Sequence, residues 1–113
     1  MSLDHNVSFA LLAIFAVQAL PAHAEDTGWH QPEMVYSWTA GSVQIWLEGE
    51  GSQNHVCANQ TYPRRYLLRE AVAGFEEKFA LATAALAGGM QLNIRYECEN
   101  DSPYVKAIRA RPG

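Results

Sequence analysis

The stretch FEEKFALATAALAGGMQLNIRYEC, residues 75–98, decides the fold, because its apolar period changes halfway along. Phe75, Phe79, Ala82 and Leu86 recur at steps of four, three and four, the spacing that places side chains on one face of an α-helix. Glu76 and Glu77 stand where the helix dipole is positive, and Gly88-Gly89 supply a left-handed stop. The spacing predicts a helix over 71–87, with Gly74 marking its true start and Val72 still in the connection. Alanines at 80, 82, 84, 85 and 87 let its backbone lie close against a sheet or another helix. From Met90 the period becomes two. Met90, Leu92, Ile94, Tyr96 and Cys98 fall on one side and Gln91, Asn93, Arg95 and Glu97 on the other, the mark of a half-buried strand. That parity aims Cys98 inward.

Outward from this stretch the chain reads as further strands. Met34–Thr39 and Ser42–Glu48, joined by Ala40-Gly41, form a predicted hairpin. In the second strand Val43, Ile45 and Leu47 share one face, and Gln44 and Trp46 the other, solvent-side face. Trp38 has the parity of Met34 and Tyr36 and is assigned to the core. Residues 49–63 are rich in Gly, Ser, Asn and Gln without a sustained period and read as a long loop around Cys57. Arg65–Arg69 is a short third strand, residues 99–103 (ENDSP) a turn, and Tyr104–Arg111 the last strand. Its apolar phase slips between Ala107 and Ile108, as a β-bulge makes it do.

The order is β-β-β-α-β-β in about 80 residues. Closing five strands into a barrel removes both sheet edges, and one helix between the third and fourth strands can plug an open end. With FALATAALAGG leading into MQLNIRYEC, the chain resembles small secreted OB-fold proteins, among them the B subunits of bacterial AB toxins and related periplasmic proteins. The resemblance implies a ring-forming, non-catalytic protein that binds a glycan or carries a partner, and it transfers no individual binding residue. The alternative is an open α+β sheet with the helix across one face.

The first 24 residues place the protein. An apolar run, VSFALLAIFAVQAL (7–20), ends in Pro21 and then Ala22-His23-Ala24, with small residues where a signal peptidase cuts. Residues 1–24 are therefore expected to be a signal peptide, 25–33 an N-terminal arm, and 34–113 a single OB-like domain in a secreted or periplasmic protein. The run falls short of the roughly 20 residues a membrane span needs, so no membrane association is expected after cleavage. In an oxidising compartment Cys57 and Cys98 are expected to pair, closing a loop whose entropy is worth roughly 4 kcal/mol. No second ligand pair accompanies them, so no metal and no cofactor is expected.

The chain carries 8 Lys and Arg against 12 Asp and Glu, and loss of the leader removes only Asp4. Nucleic acid is thereby an unfavoured partner. All eight basic residues nevertheless lie from Arg64 onward, while Glu25, Asp26, Glu33, Glu48 and Glu50 precede them. Neutralisation across paired strands accounts for that split, and a basic patch is the alternative.

For catalysis the chain offers His30 and His55 in loops, outside any nucleophile, metal or phosphate motif, so no enzyme is expected. Binding has better material. Trp29, Trp38, Trp46 and five tyrosines form a heavy aromatic load, and sugars stack on aromatic faces while amides and Arg bond their hydroxyls. Trp46 with Gln44 is the leading candidate site, and Asn93 and Arg95 are its possible companions. The expected function is a non-catalytic binding module for a glycan or a partner protein, able to form a homo-oligomer. The alternative is a small periplasmic inhibitor that uses loop 49–63 against a hydrolase.

Overall fold

The computed structural model describes residues 24–39, 41–49 and 53–113, with the side chains of Trp38 and Thr39 left out. The expected leader, apart from Ala24, lies outside the described residues. Six strands and one helix follow in the order β1 (Ala24–His30), β2 (Pro32–Thr39), β3 (Ser42–Leu47), β4 (Arg65–Arg69), α1 (Phe75–Gly88), β5 (Gln91–Glu99) and β6 (Ser102–Arg111). The fold is thus mainly β with one helix among the described residues, and it has one strand more than the sequence reading gave.

The additional strand is the expected arm. β1 pairs antiparallel with β5, from Ala24 opposite Glu97 to His30 opposite Leu92. Its polar composition hid it, since a sheet edge that faces water on one side needs few apolar residues.

The strands form one sheet in the order β1-β5-β6-β4-β3-β2, antiparallel except at β4 and β6, where Leu67 stands beside Tyr104. Among the described residues no ladder joins the two edges, so the sheet is open, as the alternative α+β reading has it. The edges are nonetheless neighbours in the chain. β1 ends at His30, β2 begins at Pro32, and only Gln31 lies between them. Gln31 is held on both sides, its carbonyl accepting the Glu48 N–H at 2.8 Å and its side-chain amide donating to the Gly89 carbonyl at 2.9 Å.

The buried core joins Val43, Ile45 and Leu47 of β3, Tyr66 and Leu68 of β4, Leu92, Ile94 and Tyr96 of β5, Val105 of β6 and Ala82 and Ala85 of α1. On the helix the inward stripe runs through Phe75, Phe79, Ala82 and Ala85, and Leu86 is exposed. A step of three from Ala82 brings two methyl-sized side chains to the sheet and rotates Leu86 off it. Gly74 precedes the helix in the left-handed conformation, and Gly89 (φ 65°) ends it by donating to the Ala85 carbonyl.

On β2 the expected phase is inverted. Val35 packs on the core opposite Ile45, while Met34 and Tyr36 are exposed. Trp38 shares their parity, and its side chain lies outside what is described. Alternation could not choose the face here, because Met34 and Tyr36 stand opposite Trp46 and Gln44 on a second, partly apolar surface.

Cys57 and Cys98 form a disulfide with their Cα atoms 5.5 Å apart. Cys57 is buried, whereas Cys98 keeps the phase of Tyr96 but is exposed at the strand's end. The segment between Gln53 and Pro63 is further tied by His55, whose Nε2 donates to the Tyr62 carbonyl (3.1 Å) and whose Nδ1 accepts the Cys57 N–H (3.2 Å). The Gln60 amide donates to the Cys57 carbonyl at 2.7 Å, and the Tyr96 hydroxyl accepts the Val56 N–H at 3.1 Å. Among the described residues no helix is long and apolar enough to cross a membrane.

Candidate binding cleft on the outer sheet face

β1 advances three residues, from Asp26 to Trp29, while β5 advances two, from Arg95 to Asn93. The extra residue is a bulge. Gly28 takes φ 78°, a left-handed conformation that suits glycine, and Thr27 turns inward so that its hydroxyl accepts the Ile94 N–H at 3.0 Å. In consequence Asp26 and Trp29 both face outward, away from α1.

A second bulge lies at Lys106, where the register shifts between Val105 and Ala107, close to the slip read in the sequence. It brings Ala107 beside Arg95 and Arg109 beside Asn93 on the same outer face. Two cross-strand rows result, Asp26-Arg95-Ala107 and Trp29-Asn93-Arg109. The small side chain of Ala107 leaves a hollow among longer neighbours, a cleft of about 240 Å³ lined by Asp26, Asn93, Arg95, Ala107 and Arg109. That is small beside the ~300–1,000 Å³ of sites for drug-sized ligands, so it suits one ring or head group of a larger ligand.

Asn93 is 7 % exposed, and its buried Oδ1 has no hydrogen-bond partner. An orphaned carbonyl of this kind costs about 1–3 kcal/mol, which a ligand's O–H or N–H would recover. Arg95 holds Asp26 through two bonds of 3.1 and 3.2 Å from Nε and Nη2. The Arg95 hydrogen bond keeps the Asp26 carboxyl below its usual range, and Asp26 in turn raises Arg95. The guanidinium of Arg111 lies 4.5 Å and that of Arg109 5.5 Å from the Trp29 ring centroid. Trp29 thus acts as the platform that sets the direction of two cations. Arg111 also donates from Nε to Gln91 at 2.9 Å, and no carboxylate bridges Arg109 among the described residues.

The four residues singled out in the sequence fall into two places. Asn93 and Arg95 belong to the cleft. Gln44 and Trp46 lie on the same sheet face, but β6 and β4 intervene between β3 and β5. There the Trp46 indole N–H donates to Gln44 Oε1 at 3.1 Å, and its ring meets Tyr62 edge-on at 5.5 Å. Gln44, expected toward solvent, is only 4 % exposed, and Trp46 is half-buried. Sequence reasoning missed Trp29, Asp26, Ala107 and Arg109. The alternation Ala107-Ile108-Arg109 carried a signal for the last two, while Trp29 depends on a bulge that a lone Gly28 does not announce.

The histidines are engaged locally. His30 Nε2 lies 3.0 Å from the Thr27 carbonyl, and both ring nitrogens of His55 bond backbone groups. Burial pushes the His55 pKa below its ordinary value, so the ring is neutral near pH 7. Among the described residues no group of three His, Cys, Asp or Glu side chains could hold a metal ion. No protein-family model, curated protein or solved structure matches the chain.

Proposed function

We propose that the protein is an exported, non-catalytic binding module, a partly open OB-like barrel that captures a glycan in the cleft of β1, β5 and β6. The observation that carries the reading is the buried, unpartnered Oδ1 of Asn93, a residue that lines a cleft flanked by Arg95 and Arg109. A sugar offers the complementary set, hydroxyl donors for the carbonyl and hydroxyl acceptors for the guanidiniums. The disulfide supports a site of action in an oxidising compartment. The barrel reading rests on the parallel β4–β6 pair and on β1 and β2, whose ends meet at Gln31 although they are the two edges of the sheet. Met34 and Tyr36, exposed along the edge strand β2, offer a surface for self-association.

The test is a glycan array followed by calorimetry, with Asn93→Leu as the variant. This substitution removes the carbonyl at nearly constant volume and leaves the backbone pairing with Arg109 in place. Binding by the wild type, weakened about tenfold or more in the variant without a fall in melting temperature, is the expected result. Unaltered binding would exclude the cleft.

A second reading is favoured by one observation. Val56 is 68 % exposed in a segment whose backbone is tied at His55, Cys57 and Gln60, the arrangement of a rigid loop that presents an apolar side chain to an enzyme's pocket. A panel of lysozymes and proteases, with Val56→Asp as control, distinguishes this inhibitor from the glycan-binding module.

A further inference from the structure

Resting on the glycan reading above, we propose that the ligand is an acidic glycan whose uronate residues present a carboxylate beside a hydroxyl. Two independent features lead there. The first is the distribution of charge. Arg65, Arg69, Arg95, Lys106, Arg109 and Arg111 share the outer face of β4, β6 and β5, so six of the eight basic residues of a chain with net charge -4 stand on one sheet surface. Among the described residues of β1, β5 and β6, the carboxylates on that face are Asp26, Glu97 and Glu99. Glu99 takes up two of the cations, Arg69 at 2.8 Å and Lys106 at 2.7 Å, and Asp26 takes up Arg95.

Arg65, Arg109 and Arg111 remain without a bridging carboxylate among the described residues, and each lies over an aromatic ring, Tyr62 for the first and Trp29 for the other two. An aromatic platform fixes a guanidinium without neutralising it. These cations are therefore set in place without an ion-pair partner, although Asp26 also acts on Arg109 at longer range, and an anionic partner is favoured.

The second feature is the Asn93 carbonyl. It needs a donor, and a bare anion such as a phosphodiester brings none. A uronate supplies both halves, its hydroxyl for Asn93 Oδ1 and its carboxylate for Arg109 in the neighbouring cross-strand position. A repeating uronate could then continue across the face toward Arg111 or toward Arg69, which stacks on Tyr104 at 3.8 Å.

The experiment is calorimetry of the purified protein with a short oligogalacturonate, with the same oligosaccharide after reduction of its carboxyls to neutral hydroxymethyl groups, and with a short oligothymidylate. Expected is binding of the acidic sugar about tenfold or more tighter than of the neutral one, weakening as salt is raised from about 0.05 to about 0.3 M. Arg109→Gln should lower affinity for the acidic sugar about tenfold and narrow the preference, whereas Arg64→Gln, whose guanidinium is held by Glu33 and the Leu47 carbonyl outside this face, should leave it unchanged. Equal affinity for the acidic and neutral sugars would overturn the acidic ligand while leaving the glycan reading intact. Binding of neither would overturn both. Oligothymidylate bound as tightly as the uronate would also overturn the proposal, since a phosphate backbone alone would then suffice.

Discussion

Replacing both Cys57 and Cys98 by alanine opens a loop closed by a bond of sequence separation 41. On the chain-entropy relation, a loop of that length constrains the unfolded chain by about 4 kcal/mol at 25 °C. Small domains have about 5–15 kcal/mol in all, so the loss is a large part of the whole. At about 4–8 °C per kcal/mol for a domain of this size, the melting temperature should fall by roughly 15–30 °C. Alanine is the better replacement, because Cys57 is buried and a serine hydroxyl would need a partner there. The assay is thermal unfolding followed by circular dichroism, with free-thiol titration of the wild type as the check that the bond is formed. A second set of constraints acts on the same segment. Residues 53–63 are also held by His55, Gln60 and the Tyr96 hydroxyl, and these ties act on the folded state rather than on the unfolded chain. A fall of less than about 5 °C would refute the entropic argument and assign the loop's order to those polar ties instead.

Three further outcomes are expected. The His55 pKa is lowered on folding, so the unfolded chain takes up a proton first, and stability should decline as pH falls below about 6.5. Asp26 and Glu99 are also lowered, by Arg95 and by Lys106 with Arg69, so a second loss should follow as pH falls through the ordinary carboxylate range. Urea midpoints that stay flat between about pH 7 and 5 would contradict the assignment of a neutral buried His55. Gly28→Ala should cost about 1–2 kcal/mol, because alanine is strained at φ 78°, and it should weaken ligand binding by misaligning Trp29, both read from denaturation and calorimetry. Ala107→Leu should fill the cleft and abolish glycan binding with little change in melting temperature, since residue 107 is exposed.

What the sequence made legible was whatever a single period could carry. The helix, its glycine stop, strands β3, β4 and β5 and the disulfide partners all follow from spacing within one element or from a pair of cysteines. The order of elements around the helix was legible for the same reason. Features that depend on a neighbouring strand were not. β1 is polar and becomes a strand because β5 has a free edge, and Ile94 finds its acceptor in Thr27, 67 residues away. Nothing within β2 reports that Val35, rather than Met34 and Tyr36, meets the core opposite Ile45.

The site was legible in half. Asn93 and Arg95 were marked by the polar side of the alternation, and the structure sets them side by side in the cleft. Gln44 and Trp46 share that face by the same kind of parity but stand on β3, with β6 and β4 between them and the cleft, because parity gives the face and not the strand order. Arg109 joins the cleft and Trp29 takes its place beside it through two bulges, each of which resets a phase that alternation holds constant. The uneven charge along the chain is resolved only in part by pairing across strands. Arg64 meets Glu33 and Arg95 meets Asp26 across strands, while six basic residues still gather on one face.

The most direct measurement is a titration of isotopically labelled protein with oligogalacturonate, following backbone amides together with the Asn93 side-chain amide and the Trp29 indole N–H by two-dimensional NMR. Saturable shifts at Asn93, Trp29 and Arg109, with Val56 and Tyr62 undisturbed, are expected if the cleft of β1, β5 and β6 is the binding site. Shifts confined to Val56, Tyr62 and their loop, or no shifts at any concentration, would contradict it.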